Sequence, residues 1–150
     1  MEALIRAPVL APTEFFAGLR KGLRASLPPE LRDFELGRGW SRLLKIHYGR
    51  PELHFEAWHH MGAGRLELGL HFEGPRALND DAFDFFRAHM VEVKAVLPRA
   101  ELEPWDRGWS RLYETLPAAQ LDENVQRAAV ERMAAYITTL RPMLDRFLEE

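Results

Sequence analysis

The sequence contains no cysteine among its 150 residues, which excludes disulfides, thiolate metal ligands and cysteine nucleophiles. It also lacks any apolar run approaching the ~20 residues that a membrane-spanning helix needs. Residues 1–6 show no basic segment followed by a sustained apolar stretch, so we expect no signal peptide. These absences predict a cytoplasmic protein that does not insert into a membrane.

The familiar catalytic and cofactor motifs are missing as well. There is no His-Glu-x-x-His, no P-loop, no dinucleotide-binding glycine fingerprint and no Gly-x-Ser-x-Gly. The formal net charge of −3 provides no general attraction to phosphates. We therefore expect no catalytic residue, no cofactor and no metal ligand, and we favour a non-enzymatic role.

Hydrophobic periodicity predicts one α+β domain over residues 1–150, with helices packed on one face of an antiparallel sheet. Its element order is α-β-β-β-α-β-β-α, with one further short strand near residues 33–36. The first helix follows a cap at Thr13, Asn79 begins the cap of the second, and Asp122 opens a long third helix. Pro142 predicts a kink or a restart in that last helix. The other predicted strands cover residues 40–48, 53–60, 65–73, 101–105 and 108–114.

Strict alternation in the first three long strands predicts how they pair. If residues 49–50 and 61–64 form tight turns, three apolar rows follow by counting. These rows are Ile46–Leu53–Phe72, Leu44–Phe55–Leu70 and Ala57–Leu68.

Six residues occur twice, letter for letter. Arg-Gly-Trp-Ser-Arg-Leu occupies residues 38–43 and again residues 107–112, each time after a Phe-Phe helix and a Leu-Pro pair. One explanation is a decayed duplication that gives a pseudo-twofold domain, and the other is two independent uses of similar packing. Either explanation predicts equivalent places for Trp40 and Trp109.

Two groups of side chains are candidates for binding a ligand or a partner. At one end of the apolar face, the register places Arg42 beside Ala57 and Trp40 beside His59. A buried guanidinium needs an acceptor, so Arg42 either pairs within the fold or lines an anion pocket. The repeat offers the pair Trp109 and Arg111 as a second candidate.

The opposite face is polar, with Lys45, His54 and His71 predicted in one cross-strand row. Imidazole and carboxylate side chains suit a divalent metal, but Lys45 in the same row would repel a cation. A solvated face or a partner-docking face is therefore favoured over a metal site. Leu43 and Trp58, expected to be exposed there, favour docking because aromatic residues are enriched at interfaces.

The order of elements resembles the type III secretion chaperone fold and its YbjN-like bacterial relatives over nearly the whole chain. That resemblance implies a protein that binds other proteins, usually as a homodimer. Residues 66–113 also resemble an uncharacterised bacterial domain attached to restriction-endonuclease-like proteins. Neither resemblance implies particular site residues.

Three functions follow from these observations. The leading hypothesis is a protein-binding, chaperone-like or adaptor module, with a second copy of the chain or another protein as partner. The second is an accessory nucleic-acid-binding domain of a restriction or defence system, based on basic residues near tryptophans, although the net charge does not favour it. The third is a metal-dependent hydrolase that uses His54 and His71. The basic residues of the second hypothesis are Arg20, Lys21, Arg24, Arg42 and Arg111.

Overall fold

The computed structural model describes residues 7–150, which form four α-helices and one six-stranded antiparallel sheet. The helices are α1 Pro12–Ser26, α2 Arg76–Ala88, α3 Met90–Val96 and α4 Glu123–Glu149. The strands are β1 Glu35–Leu36, β2 Leu43–His47, β3 Leu53–His60, β4 Arg65–Phe72, β5 Glu101–Trp105 and β6 Trp109–Pro117. These elements confirm the predicted α+β class. The expectation about a signal peptide concerns residues 1–6, which lie outside the described part.

The strands are arranged in the order β1-β2-β3-β4-β6-β5, and every neighbouring pair is antiparallel. Residues on alternate positions share a face. One face is apolar and packs against the helices, and its rows include Phe55–Leu70–Leu112 across three strands. Within residues 7–150, none of the helices combines the length and apolar character needed to cross a membrane.

The predicted pairing is confirmed between β3 and β4 and wrong by two residues between β2 and β3. Leu53, Phe55 and Ala57 lie opposite Phe72, Leu70 and Leu68 as predicted. Ile46, however, lies opposite Phe55 rather than Leu53. The cause is the turn, which takes in two more residues than the tight hairpin assumed for positions 49–50. A shift of two keeps every side chain on its predicted face and changes only its neighbours.

The helices differ from the prediction mainly at their ends. α1 begins at Pro12 with Ala11 as its cap, not Thr13. α2 begins at Arg76 after Pro75, so Asn79 does not cap it. Instead the buried Asn79 amide donates to the Gly108 carbonyl, 3.0 Å away, and ties the helix to the turn before β6.

The later helices also depart from expectation. The second predicted helix is divided into α2 and α3 at His89, whose Nδ1–H donates to the Phe85 carbonyl over 2.6 Å. α4 is capped by Asp122 as predicted, because its carboxylate accepts the Val125 amide at 2.8 Å. The helix then runs on through Pro142 to Glu149. The alternative of a restart at Pro142 is therefore wrong.

The first copy of the repeated hexapeptide ends at Leu43, the first residue of β2, and the second runs from the turn before β6 into that strand. Both β2 and β6 are second from an edge of the sheet. The backbones of the two copies differ. Ser41 and Arg42 form a turn before β2, whereas Ser110 and Arg111 already lie inside β6. The inner neighbour of β2 is β3, which follows the first copy in the chain, whereas the inner neighbour of β6 is β4, which precedes the second copy. The positions of β2 and β6 in the sheet are therefore related by a twofold pattern, but the order of the neighbouring strands along the chain is not. A duplication remains a prediction.

Candidate metal centre

The polar face of the sheet is buried, which corrects the expectation of a solvated surface. His54, Glu56, Glu67 and His71 are all at most 3% exposed, and His71 is at 0%. Side chains of the same face cover them. The Trp105 ring packs edge-on against the His71 ring with 5.9 Å between centroids, and the Arg111 guanidinium lies 4.7 Å from the centre of Trp105. A group of titratable residues is thus held in a low-polarity setting.

Three of these residues, His54, Glu56 and His71, come from one short pattern that occurs twice. Leu-His-Phe-Glu occupies residues 53–56 on β3 and residues 70–73 at the end of β4. Alternation sends each Phe into the core and each His and Glu to the polar face. Because β3 and β4 are antiparallel and His54 lies directly opposite His71, the two glutamates flank the histidine pair. The result is a cluster of His54, Glu56, His71 and Glu73.

The potential ligand atoms of this cluster all lie within 4.8 Å of one another. His54 Nε2 is 2.8 Å from Glu56 Oε1 and 3.8 Å from Glu73 Oε1. His71 Nδ1 is 3.6 Å from Glu56 Oε1 and 3.1 Å from Glu73 Oε2. Four ligands bound tetrahedrally at about 2.0–2.1 Å from zinc would be separated by about 3.3 Å. The observed separations bracket that value.

Hydrogen bonds on the far side of each imidazole fix which nitrogen faces the cluster. His54 Nδ1–H donates to the Pro51 carbonyl over 2.8 Å, so Nε2 faces inward. His71 Nε2–H donates to Glu67 Oε2 over 3.1 Å, so Nδ1 faces inward. A carbonyl or carboxylate that accepts the outer N–H is the usual support of a metal-binding histidine. Each inward nitrogen lies within hydrogen-bond distance of a glutamate of the cluster, His54 Nε2 of Glu56 and His71 Nδ1 of Glu73, so a metal ion would have to displace a proton from each ring.

Electrostatics at the cluster favour positive charge. Burial lowers the pKa of His71, but hydrogen bonds to Glu67 and Glu73 outweigh it and raise that pKa to about 9. Burial raises the pKa of Glu73, but the bond to His71 and the nearby His54 and Lys45 lower it overall. A buried position that strongly retains a proton between carboxylates is also one that attracts a cation.

A second layer of charged residues surrounds the cluster. Arg111 donates to Glu67 through Nη1 and to Glu103 through Nε and Nη2, so it joins β4 to the edge strand β5. Lys45 lies opposite Glu56 rather than in the histidine row, and its Nζ is 3.7 Å from Glu73 Oε1. The predicted row is therefore wrong, but Lys45 still lies close enough to a carboxylate of the cluster to repel a cation there.

All four tryptophans of the chain form one row across this face. Ring centroids are 6.3 Å apart for Trp40 and Trp58, 6.5 Å for Trp58 and Trp105, and 6.2 Å for Trp105 and Trp109. The two motif tryptophans are the ends of the row. Trp40 is 54% exposed, whereas Trp58 is partly buried, as is Leu43. The exposed apolar surface expected at Trp58 and Leu43 is therefore smaller than predicted.

The other predicted site residues are engaged within the fold. Arg42 Nη1 donates to His59 Nδ1 over 2.7 Å, and His59 Nε2–H donates to the Ala118 carbonyl over 2.9 Å. Trp40 packs on Trp58 instead of joining this pair. The predicted pocket of Trp40, Arg42 and His59 is thus not assembled.

The basic residues suggested for nucleic-acid contact are only partly free to make it. Arg24 donates to the carbonyls of Arg32 and Phe34. Arg42 and Arg111 are held by His59 and by two glutamates. Side chains committed to such bonds are less available to neutralise phosphates.

Sequence reasoning identified His54, His71, Lys45 and Arg111 but did not select Glu56, Glu67 or Glu73 as site residues. The repeated Leu-His-Phe-Glu was the signal that could have found two of them. Two His-x-Glu segments on adjacent antiparallel strands necessarily bring four potential ligands to one face. Comparison of the chain with protein-family models, with curated proteins and with solved structures gives no match.

Proposed function

We propose that this protein binds a divalent transition-metal ion of the zinc class through His54, Glu56, His71 and Glu73. The observation that carries the proposal is the paired orientation of the two imidazoles. Each directs one nitrogen into the cluster because an acceptor holds the N–H of the other nitrogen. Two imidazoles and two carboxylates form a donor set that suits zinc, cobalt, manganese or iron.

The charge balance supports a cation of charge two. Glu56 and Glu73 are the carboxylates of the cluster, and a divalent ion would neutralise both. Glu67 is compensated separately by Arg111. Without such an ion, Lys45 offsets Glu73, and only the two histidines are placed to offset Glu56.

The test is a calorimetric titration of chelator-treated protein with Zn²⁺. We expect one equivalent to bind and the melting temperature to rise, because an ion that binds only the folded state stabilises it. His54→Gln and His71→Ala should each abolish stoichiometric binding. His89→Ala is the matched control, because His89 lies at the junction of α2 and α3 and bonds to Phe85.

Circular dichroism of the metal-free variants separates loss of a ligand from loss of the fold. The proposal is wrong if folded wild-type protein takes up no Zn²⁺, Co²⁺ or Mn²⁺. It is equally wrong if folded His54→Gln and His71→Ala bind as the wild type does. Protein binding and homodimerisation, which the fold resemblance implied, stay predictions beside it.

A further inference from the structure

A cleft of about 370 Å³ opens beside the metal cluster. His54 and Glu73 contribute to its wall, so two of the four proposed ligands are reached from it. The rest of its lining is Gly37, Arg38, Lys45, Pro51 and Glu52. Its volume is within the range of small-molecule sites. The cleft therefore gives a small ligand a path to one side of the cluster.

The charges in this cleft are not balanced once a metal is bound. Glu52 is already paired, because Arg50 Nε donates to its carboxylate over 2.8 Å. Lys45 has Glu73 as its counter-charge, 3.7 Å away. Arg38 is exposed and makes no ion pair with any residue between 7 and 150. Glu73 is the only carboxylate of the cleft that offsets Lys45.

A metal ion bound by Glu73 would neutralise that carboxylate, which would then no longer offset Lys45. With Glu73 and Glu56 neutralised by the ion, Lys45 and Arg38 would leave the cleft with excess positive charge. A concave surface of one sign concentrates ions of the other sign. Zinc sites with four protein ligands are usually closed, but zinc can expand to five-coordination, and the cleft is the side from which a fifth ligand could approach.

We infer that the metal-loaded protein binds a small oxyanion, a carboxylate or a phosphate group, between the metal ion and Lys45. This inference rests on the proposed metal site and adds the class of ligand. One oxygen of the anion enters the coordination shell, and another accepts a charge-assisted hydrogen bond from Lys45 Nζ. Arg38, at the mouth of the cleft, adds a second positive charge.

The experiment uses the full chain loaded with Co²⁺, whose visible absorption reports its coordination number and donors. Inorganic phosphate and acetate are titrated in separately, with perchlorate holding the ionic strength constant. We expect a saturable spectral change. Lys45→Met should weaken anion binding by about tenfold or more, as removal of a charge-assisted bond requires, and should not weaken Co²⁺ binding, because it frees Glu73 from its counter-charge. Lys45→Arg should restore most of the anion affinity.

Lys94→Met is the matched control, because Lys94 lies on α3 away from the cleft. A response to phosphate alone identifies a phosphate ligand, and a response to acetate alone identifies a carboxylate. If Co²⁺ binds but neither anion changes the spectrum, the inference is wrong and the metal site stands. The inference also fails, and the metal site again stands, if Lys45→Met responds to the anions as the wild type does. Failure of Co²⁺ itself to bind would overturn both.

Discussion

Glu67 is predicted to control metal affinity without touching the metal. One of its oxygens accepts the His71 Nε2–H over 3.1 Å, and the other accepts from Arg111. Glu67→Gln keeps the size of the side chain but leaves one carbonyl oxygen for two donors. The amide NH₂ must then face either His71 or Arg111. In both arrangements His71 loses part of the support that directs Nδ1 into the cluster.

The magnitude follows from that single bond. Hydrogen bonds to charged groups contribute about 1.5–3 kcal/mol, and about 1.4 kcal/mol corresponds to a tenfold change in affinity. Glu67 is 1% exposed, so water cannot replace the lost acceptor. We therefore expect Zn²⁺ to bind Glu67→Gln about 10–100-fold more weakly, which is the range usual for residues that orient a metal-binding histidine.

Competition against a chromophoric zinc chelator measures this change. Glu103→Gln is the matched control, because Glu103 also accepts from Arg111 but is not hydrogen-bonded to either histidine of the cluster. It should bind Zn²⁺ within about threefold of the wild type, since the altered pair with Arg111 is only partly buried and includes no ligand of the cluster. Equal affinities for Glu67→Gln, Glu103→Gln and wild type would refute the proposed support of His71.

Three further predictions concern the fold. Leu70→Ala should lower the free energy of unfolding in urea by about 2.7–5 kcal/mol, because Leu70 is fully buried in β4. Gly69→Ala should lower it by about 1–3 kcal/mol, since an added Cβ would lie 2.3 Å from the Leu112 carbonyl oxygen. A titration followed at 295 nm should show less phenolate near pH 10 in the folded protein than in the unfolded protein. Burial raises the pKa of Tyr48 to about 12. Burial is also the largest cause of the raised pKa values of Tyr113 and Tyr136. Stability is then fully present below pH 10 and falls as the pH rises towards 12.

The faces of the sheet could be predicted from alternation alone, whereas neighbours within a face could not. Arg42 illustrates the difference. Counting through a tight turn placed it beside Ala57, but the longer turn places it opposite His59. A shift by two residues leaves inside and outside unchanged. The predicted fold class is therefore unaffected by this error, whereas the predicted set of residues in a site changes with it.

Burial of the polar face could not be predicted from the strands that form it. Alternation assigns His71 and Glu67 to that face, and polar residues there indicate solvent. The cover comes from Trp105 at the end of β5, a strand that is distant in sequence and pairs only with β6. No local pattern in β3 or β4 reports how far such a ring reaches over them.

The buried glutamates differ in how their charges are compensated, which favours the proposed metal site over a purely structural ion-pair network. Glu67 is compensated by Arg111, and Glu114 on the other face by Arg132, whose Nη2 lies 2.9 Å from it. Glu56 is 3% exposed and, among residues 7–150, contacts no arginine or lysine within ion-pair distance. A buried charge without a permanent counter-charge costs several kcal/mol, and with no ion bound the protonated His71 offsets Glu56, since the pKa of His71 is raised to about 9. An arginine beside Glu56 would stabilise its buried charge, as Arg111 does for Glu67 and Arg132 does for Glu114. The two histidines in its place form a set of ligands that a divalent ion, unlike a guanidinium, can use in full.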